Sequence, residues 1–205
     1  MTAGSIRYWA AAVNARHVIV DTSEQRLPLR HNHHRYEICG PNGVQNLTIP
    51  LVAETHTMAT VMRDVQISEH AHWRRVHWGA LYSAYGKTPY FDFVADDLQR
   101  IINGSQRFLL DFNRQLQELI TDFMALPVEF EYRDVSQNDT LTAEDMRQIL
   151  GSKKSKNLPL GDVSYYQLWQ DRYGFIPGLS IIDLMMNTGR EGLFTLIAST
   201  NCPNS

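Results

Sequence analysis

The sequence predicts an α/β fold: a small mixed sheet packed by two long helices, with a helical C-terminal segment. Three observations predict it. The runs His17-Val18-Ile19-Val20-Asp21 and Val128-Glu129-Phe130-Glu131-Tyr132 are β-branched or alternating, as strands are. Two stretches, residues 70–85 and 107–126, carry apolar residues at helical spacing. From residue 165 onward the remaining apolar patterns are helical.

The elements follow in order. Residues 6–15, rich in alanine and aromatics, read as a short helix leading into the strand 17–21. A helix that feeds a buried strand directly implies an earlier parallel strand, because strand–helix–strand buries both elements. An opening strand ahead of residue 6 is therefore expected. Residues 35–39 and 45–51 read as a hairpin around Gly40-Pro41-Asn42-Gly43, since Asn-Gly tolerates positive φ. The roughly alternating stretch 61–67 is a further strand candidate.

In the helix 70–85, Trp73, His77, Leu81 and Tyr85 fall on one stripe, with Gly86 and Pro89 as stop signals. The helix 107–126 places Leu109, Phe112, Leu116, Leu119, Ile120 and Phe123 on one face, and Pro127 ends it. Residues 134–162 turn polar and read as a loop region holding one short helix, with Thr142 as N-cap and Asp145 three residues on. Helices over 165–173, stopped by Gly174, and 180–187, capped by Ser180 with Asp183 at its third position, complete the chain. Too little chain follows the polar region to fold alone, so residues 1–205 are expected to form one domain.

Composition narrows the function. A net charge of −3 gives no global attraction to nucleic acid or acidic lipid, and no apolar run is long enough to span a membrane. Two cysteines, Cys39 and Cys202, make no disulfide framework or metal-like spacing. Together with an N-terminus lacking a signal-peptide pattern, they predict a cytoplasmic protein with a small-molecule partner. Glycine-rich phosphate loops and the Gly-x-Ser-x-Gly turn are absent, so no nucleophile-bearing elbow is expected, and the sequence leaves any cofactor unknown.

Several blocks resemble the WbqC-like protein family. Arg35-Tyr36-Glu37-Ile38-Cys39-Gly40-Pro41-Asn42-Gly43 followed by Leu47-Thr48-Ile49-Pro50 is similar to its Arg strand, Asn-Gly turn and Leu-Thr-(Ile/Val)-Pro strand. The Trp73 to Tyr85 segment resembles its Trp/His/Tyr helix. Pro89-Tyr90-Phe91 and Leu110-Asp111-Phe112-Asn113 resemble the next two blocks. Tyr166-Gln167, Gly174-Phe175-Ile176-Pro177 and the run from Leu179 to Gly189 resemble the last. The order is kept from about residue 5 to 197. Two departures stand out: the opening strand with its Pro/Tyr turn is missing, and His34 stands where many members carry Asn.

The resemblance implies a protein encoded among bacterial surface-polysaccharide genes, and hence acyl or aminoacyl transfer to an amino sugar or nucleotide sugar. A non-catalytic protein that binds or assembles a glycan precursor is the rival expectation. A third, nucleotidyl transfer, would need the opening strand.

The side chains offer candidates for that chemistry. His77 is the candidate catalytic base, set between aromatic walls, or else a half-buried histidine bonded to a carbonyl. Arg35, with His34 beside it, is the candidate contact for a phosphate or carboxylate, or else an ion-pair partner of Asp64 or Asp111. Trp73, Tyr85 and Asp183 are expected to shape the same cleft, although capping at Ser180 would account for Asp183 alone. Asp111 and Asn113 leave a helix on different sides, so at most one can face a site. His31, His33, His34, His70, His72 and His77 form two groups without helical metal-ligand spacing, so no metal is expected. Lacking a nucleophile, transfer would run by direct attack of the substrate amine with His77 as base. All of this requires Arg35 and His77 to share one hollow.

Overall fold

The computed structural model describes residues 3–25, 33–55, 59–135 and 161–201. Its strands are both parallel and antiparallel, as expected, and they sit in two separate ladders. β1 (His17–Asp21) pairs in parallel with β4 (Glu129–Arg133), from His17 opposite Glu129 to Asp21 opposite Arg133. β2 (Arg35–Gly40) pairs antiparallel with β3 (Gly43–Thr48), from Arg35 opposite Thr48 to Gly40 opposite Gly43. The parallel partner that β1 demands is therefore a strand from much later in the chain.

α1 (Ile6–Ala15) begins where the Ser5 hydroxyl accepts from the Tyr8 amide at 3.3 Å, and ends at Arg16 in left-handed conformation. It buries Ile6, Tyr8, Trp9, Ala10, Ala12 and Val13, with Trp9 edge-on to Phe130 of β4 at 5.6 Å. The hairpin loop is Pro41-Asn42, and Gly43 takes the positive φ, at +92°. Glycine is the residue that occupies that region without a Cβ penalty.

Residues 61–67 are not a strand. Met62–Asp64 form a 3-10 turn, while Val61, Gln66 and Ile67 make single bridges to Gln25, Phe108 and Leu51. Met62 and Val65 are both buried, and that three-residue spacing fits the turn rather than a two-residue pleat.

α2 (Trp73–Tyr85) starts three residues later than its pattern suggests. Residues His70–His72 form a 3-10 turn in which Ala71 and His72 both adopt positive φ, which interrupts the α-helical hydrogen-bond series. α3 (Phe91–Ile102) buries Phe91, Val94, Leu98, Ile101 and Ile102, and α4 (Leu109–Met124) buries the Leu109, Phe112, Leu116 and Ile120 stripe. On α4, Asn113, Gln117 and Met124 are also buried, whereas Leu119 and Phe123 are half-buried.

In the C-terminal part only α5 (Gln170–Tyr173) is helical within 165–173. Residues 161–167 run without regular structure because their side chains and backbone bond elsewhere. The Gln167 amide accepts from the Ile176 N–H and donates to its carbonyl, both at 2.9 Å, in the manner of a strand partner. α6 (Ile181–Thr188) ends at Gly189, whose φ is +55°, and α7 (Gly192–Asn201) follows it. α7 packs on α1, so the two ends of the described chain meet. The short helix expected near Thr142 lies outside the described residues.

One buried apolar cluster runs from Ala3 to Leu196 and draws on every layer. The fully buried stretch of α6, Ile181 to Met186, passes through its middle and touches α1, α2, α4 and β2.

Candidate functional site

Strand alternation sorts the hairpin residues into two faces. Tyr36 and Ile38 point into the core at 5% and 0% exposure, and Arg35 and Glu37 point to solvent. α2 crosses the inner face. There His77, 2% exposed, contacts both strands at once: its Nδ1 lies 3.2 Å from the Tyr36 hydroxyl and its Nε2 3.1 Å from the Thr48 carbonyl. A carbonyl only accepts, so Nε2 carries the proton, and Nδ1 accepts from Tyr36. Trp73 at 4.9 Å and Tyr36 at 5.6 Å hold the ring edge-on. Burial lowers the His77 pKa to about 4, partly opposed by the bond to Thr48. The imidazole is neutral at pH 7, with both nitrogens engaged inside the protein.

Arg35 lies on the other face of the same strand. The structure does not bring Arg35 and His77 to a common hollow, because the hairpin itself stands between them. Neither Asp64 nor Asp111 forms an ion pair with Arg35 among the described residues. Asp111 is exposed, and Asn113, on the buried side of α4, donates to the His33 carbonyl at 3.0 Å. The other candidates are interior: His34 is 7% exposed and Trp73 4%. Trp73 packs edge-on against Phe112 and beneath the Arg74 guanidinium. Of the six candidate residues, Arg35 alone reaches solvent freely.

Tyr85 and Asp183 meet in a buried polar network behind the hairpin. Asp183 does sit near the start of α6, but its carboxylate does not cap that helix. It accepts from Tyr85 at 2.9 Å through one oxygen and from Tyr165 at 2.6 Å through the other. Gln167 donates to the Tyr165 hydroxyl at 3.0 Å. Burial raises the Asp183 pKa, and the hydrogen bonds from Tyr165, Tyr85 and Gln167 oppose that rise. Asn187 donates to the Asp183 carbonyl at 2.8 Å and accepts the Leu168 amide at 3.1 Å. The i, i+4 polar pair thus serves a closed network that ties α2, α6 and residues 165–168 together. Tyr36, Tyr165 and Gln167 were not among the site candidates, although Tyr36 and Gln167 stand in the family-like blocks and strand alternation turns Tyr36 inward.

Among the described residues no group of three or more His, Cys, Asp or Glu side chains is placed to hold a metal ion. His70 and His72 are exposed in the 3-10 turn before α2; His31 and Cys202 lie outside the described residues. Cys39 is buried, and burial raises its thiol pKa. An open groove of about 470 Å³ lies across the turn before α2 and the α3–α4 connection, lined by Glu69, Arg74, Ser105, Gln106 and Arg107 among others. Arg74 is committed within it to Glu69, to the Ile102 carbonyl and to Gln106. No described helix is long and apolar enough to cross a membrane.

A family model for the WbqC-like protein family matches residues 16–158. No curated protein and no solved structure matches the chain.

Proposed function

Since the chain belongs to the WbqC-like protein family, we propose that it acts in bacterial surface-polysaccharide synthesis as a transferase of an acyl or aminoacyl group to an amino sugar or nucleotide sugar. The polysaccharide setting comes from the family resemblance. The observation that carries the substrate class is Arg35: a guanidinium on the solvent face of the motif hairpin, with no carboxylate partner among the described residues. A planar, permanently charged fork of that kind suits a phosphate or carboxylate on the substrate. The two-cysteine composition and the small-molecule substrate fit a cytoplasmic site of action.

A second reading, a non-catalytic protein that holds or assembles a glycan precursor, is favoured by one specific observation. His77, the base the transfer would use, is sealed with both nitrogens bonded. The two readings share Arg35 and separate on chemistry.

Thermal-shift measurements with nucleotide sugars, acyl-CoA and ATP, singly and in pairs, test both. Stabilisation by a sugar nucleotide together with an acyl donor, followed by product formation, supports the transferase. Stabilisation by a sugar nucleotide alone, without product, supports the binding role. In either case Arg35→Gln removes the shift. Silence across all ligands, or a shift that Arg35→Gln leaves intact, overturns the assignment of Arg35.

A further inference from the structure

We infer that His77 is a positioning residue for Arg35, clamping from the inner face the end of the hairpin that presents the guanidinium; this rests on the reading of Arg35 as the anion contact. The geometry is specific to that end. Arg35 stands directly opposite Thr48 in the ladder, and Tyr36 is its neighbour in the chain. These are the two residues that His77 bonds, one on each strand, at 3.2 and 3.1 Å. A single imidazole therefore spans the strand that carries Arg35 and the strand that backs it.

The surroundings hold the clamp in place. Trp73, one turn earlier on α2, meets the His77 ring edge-on and is itself braced by Phe112 of α4. The chain entering β2 is anchored by Asn113 bonding the His33 carbonyl at 3.0 Å and by the Ile49 amide bonding the His34 carbonyl at 2.8 Å. The turn end of the hairpin is fastened separately, through Arg172 and Tyr173, which both donate to the Pro41 carbonyl at 2.7 Å. Loss of the His77 bonds should then loosen one end of the hairpin and leave the other fixed. A guanidinium on a loosened strand must be ordered by its ligand, at a cost in affinity.

Backbone amide exchange by NMR on the full chain, with and without UDP-N-acetylglucosamine as probe, tests this. His77→Asn keeps an acceptor toward Tyr36 and removes the donor to Thr48; Tyr36→Phe removes one hydroxyl and little volume, so it covers the case in which His77→Asn fails to fold. The expected result is about tenfold faster exchange at amides near Arg35 and Thr48, no change near Gly40 and Gly43, and about tenfold weaker probe binding, with Tyr36→Phe showing a smaller effect in the same place. Unchanged exchange, or acceleration spread evenly over the chain in both variants, overturns the clamp. Probe binding by the wild type that survives both variants undiminished overturns its role in presenting Arg35. Local acceleration in a protein whose wild type binds no probe upholds the clamp and overturns the anion reading alone.

Discussion

Tyr85 and Asp183, 98 residues apart in the chain, meet in the core where the tyrosine hydroxyl donates to the carboxylate at 2.9 Å. Tyr165 takes the other carboxylate oxygen, so one aspartate satisfies two buried hydroxyls from two different segments. Removing an acceptor that serves two donors leaves both hydroxyl protons without an acceptor, and each such loss costs about 1–3 kcal/mol. Asp183→Ala should therefore destabilise the protein by about 3 kcal/mol or more, while Asp183→Asn, which keeps one acceptor oxygen and the shape, should cost less than half as much. Urea denaturation of the two variants checks this. Equal losses would show that packing, not hydrogen bonding, sets the value of this position.

His77 carries a signed prediction for acid stability. Its pKa falls from the ordinary 6.5 to about 4 on folding. Between those values the unfolded chain binds the extra proton and the native protein does not, so stability is lost as pH falls from 6.5 toward 4 and is fully present above 6.5. A shift of that size amounts to roughly 3 kcal/mol. His77→Gln should flatten that part of the pH–stability curve, whatever its own cost at pH 7. Parallel curves for wild type and variant between pH 4 and 6.5 would contradict the assignment.

Two glycines with positive φ separate backbone strain from steric conflict. At Gly43, φ +92°, an added Cβ would meet only the Tyr173 ring at 3.9 Å, so Gly43→Ala should cost about 1–2 kcal/mol through the backbone alone. At Gly189 the Cβ would lie 2.4 Å from the Tyr90 ring, in a backbone region, φ +55° and ψ −132°, that other residues avoid. Gly189→Ala should lower the melting temperature clearly more than Gly43→Ala does. Combining each with Tyr90→Ala should rescue part of the Gly189 loss and none of the Gly43 loss.

Arg74 joins the turn before α2 to the connection between α3 and α4. It pairs with Glu69 at 2.8 Å, donates to the Ile102 carbonyl at 2.7 Å and lies over the Trp73 ring at 4.6 Å. A lysine cannot reproduce the fork, so Arg74→Lys should recover little of the about 2 kcal/mol expected to be lost in Arg74→Ala. Denaturant midpoints for the two variants decide it, and full recovery by lysine would reduce the role of Arg74 to charge.

Much of the fold was legible because local pattern and tertiary structure agree. The α4 stripe at Leu109, Phe112, Leu116 and Ile120 and the hairpin around Pro41-Asn42 follow directly from periodicity and turn chemistry. α3 was not among the expected elements, although Phe91, Val94, Leu98 and Ile101 fall at helical spacing. The stretch 165–169 was not legible as irregular, because what straightens it is the pairing of Gln167 with Ile176 and of Tyr165 with Asp183, both tertiary.

The candidate site divides the same way. Sequence spacing placed Trp73, His77 and Tyr85 on one stripe of α2, and they do share a face, which is the buried one. An aromatic stripe with one histidine reads alike whether it faces a ligand or a core. The orientation of that stripe depends on where β2 lies, and spacing within α2 carries no information about that.

The parallel pairing of β1 with β4 also bears on how the chain reaches this structure. An emerging polypeptide has residues 17–21 in hand long before residues 129–133 exist, and α1 must wait longer still for α7. Until those partners emerge, Trp9 and its neighbours on α1 lack the surfaces that bury them. Closure of so long a loop is slow compared with hairpin formation. The hairpin can form early and alone, whereas the β1–β4 ladder and the α1–α7 contact must wait for later chain, and until they close the apolar face of α1 is open to aggregation.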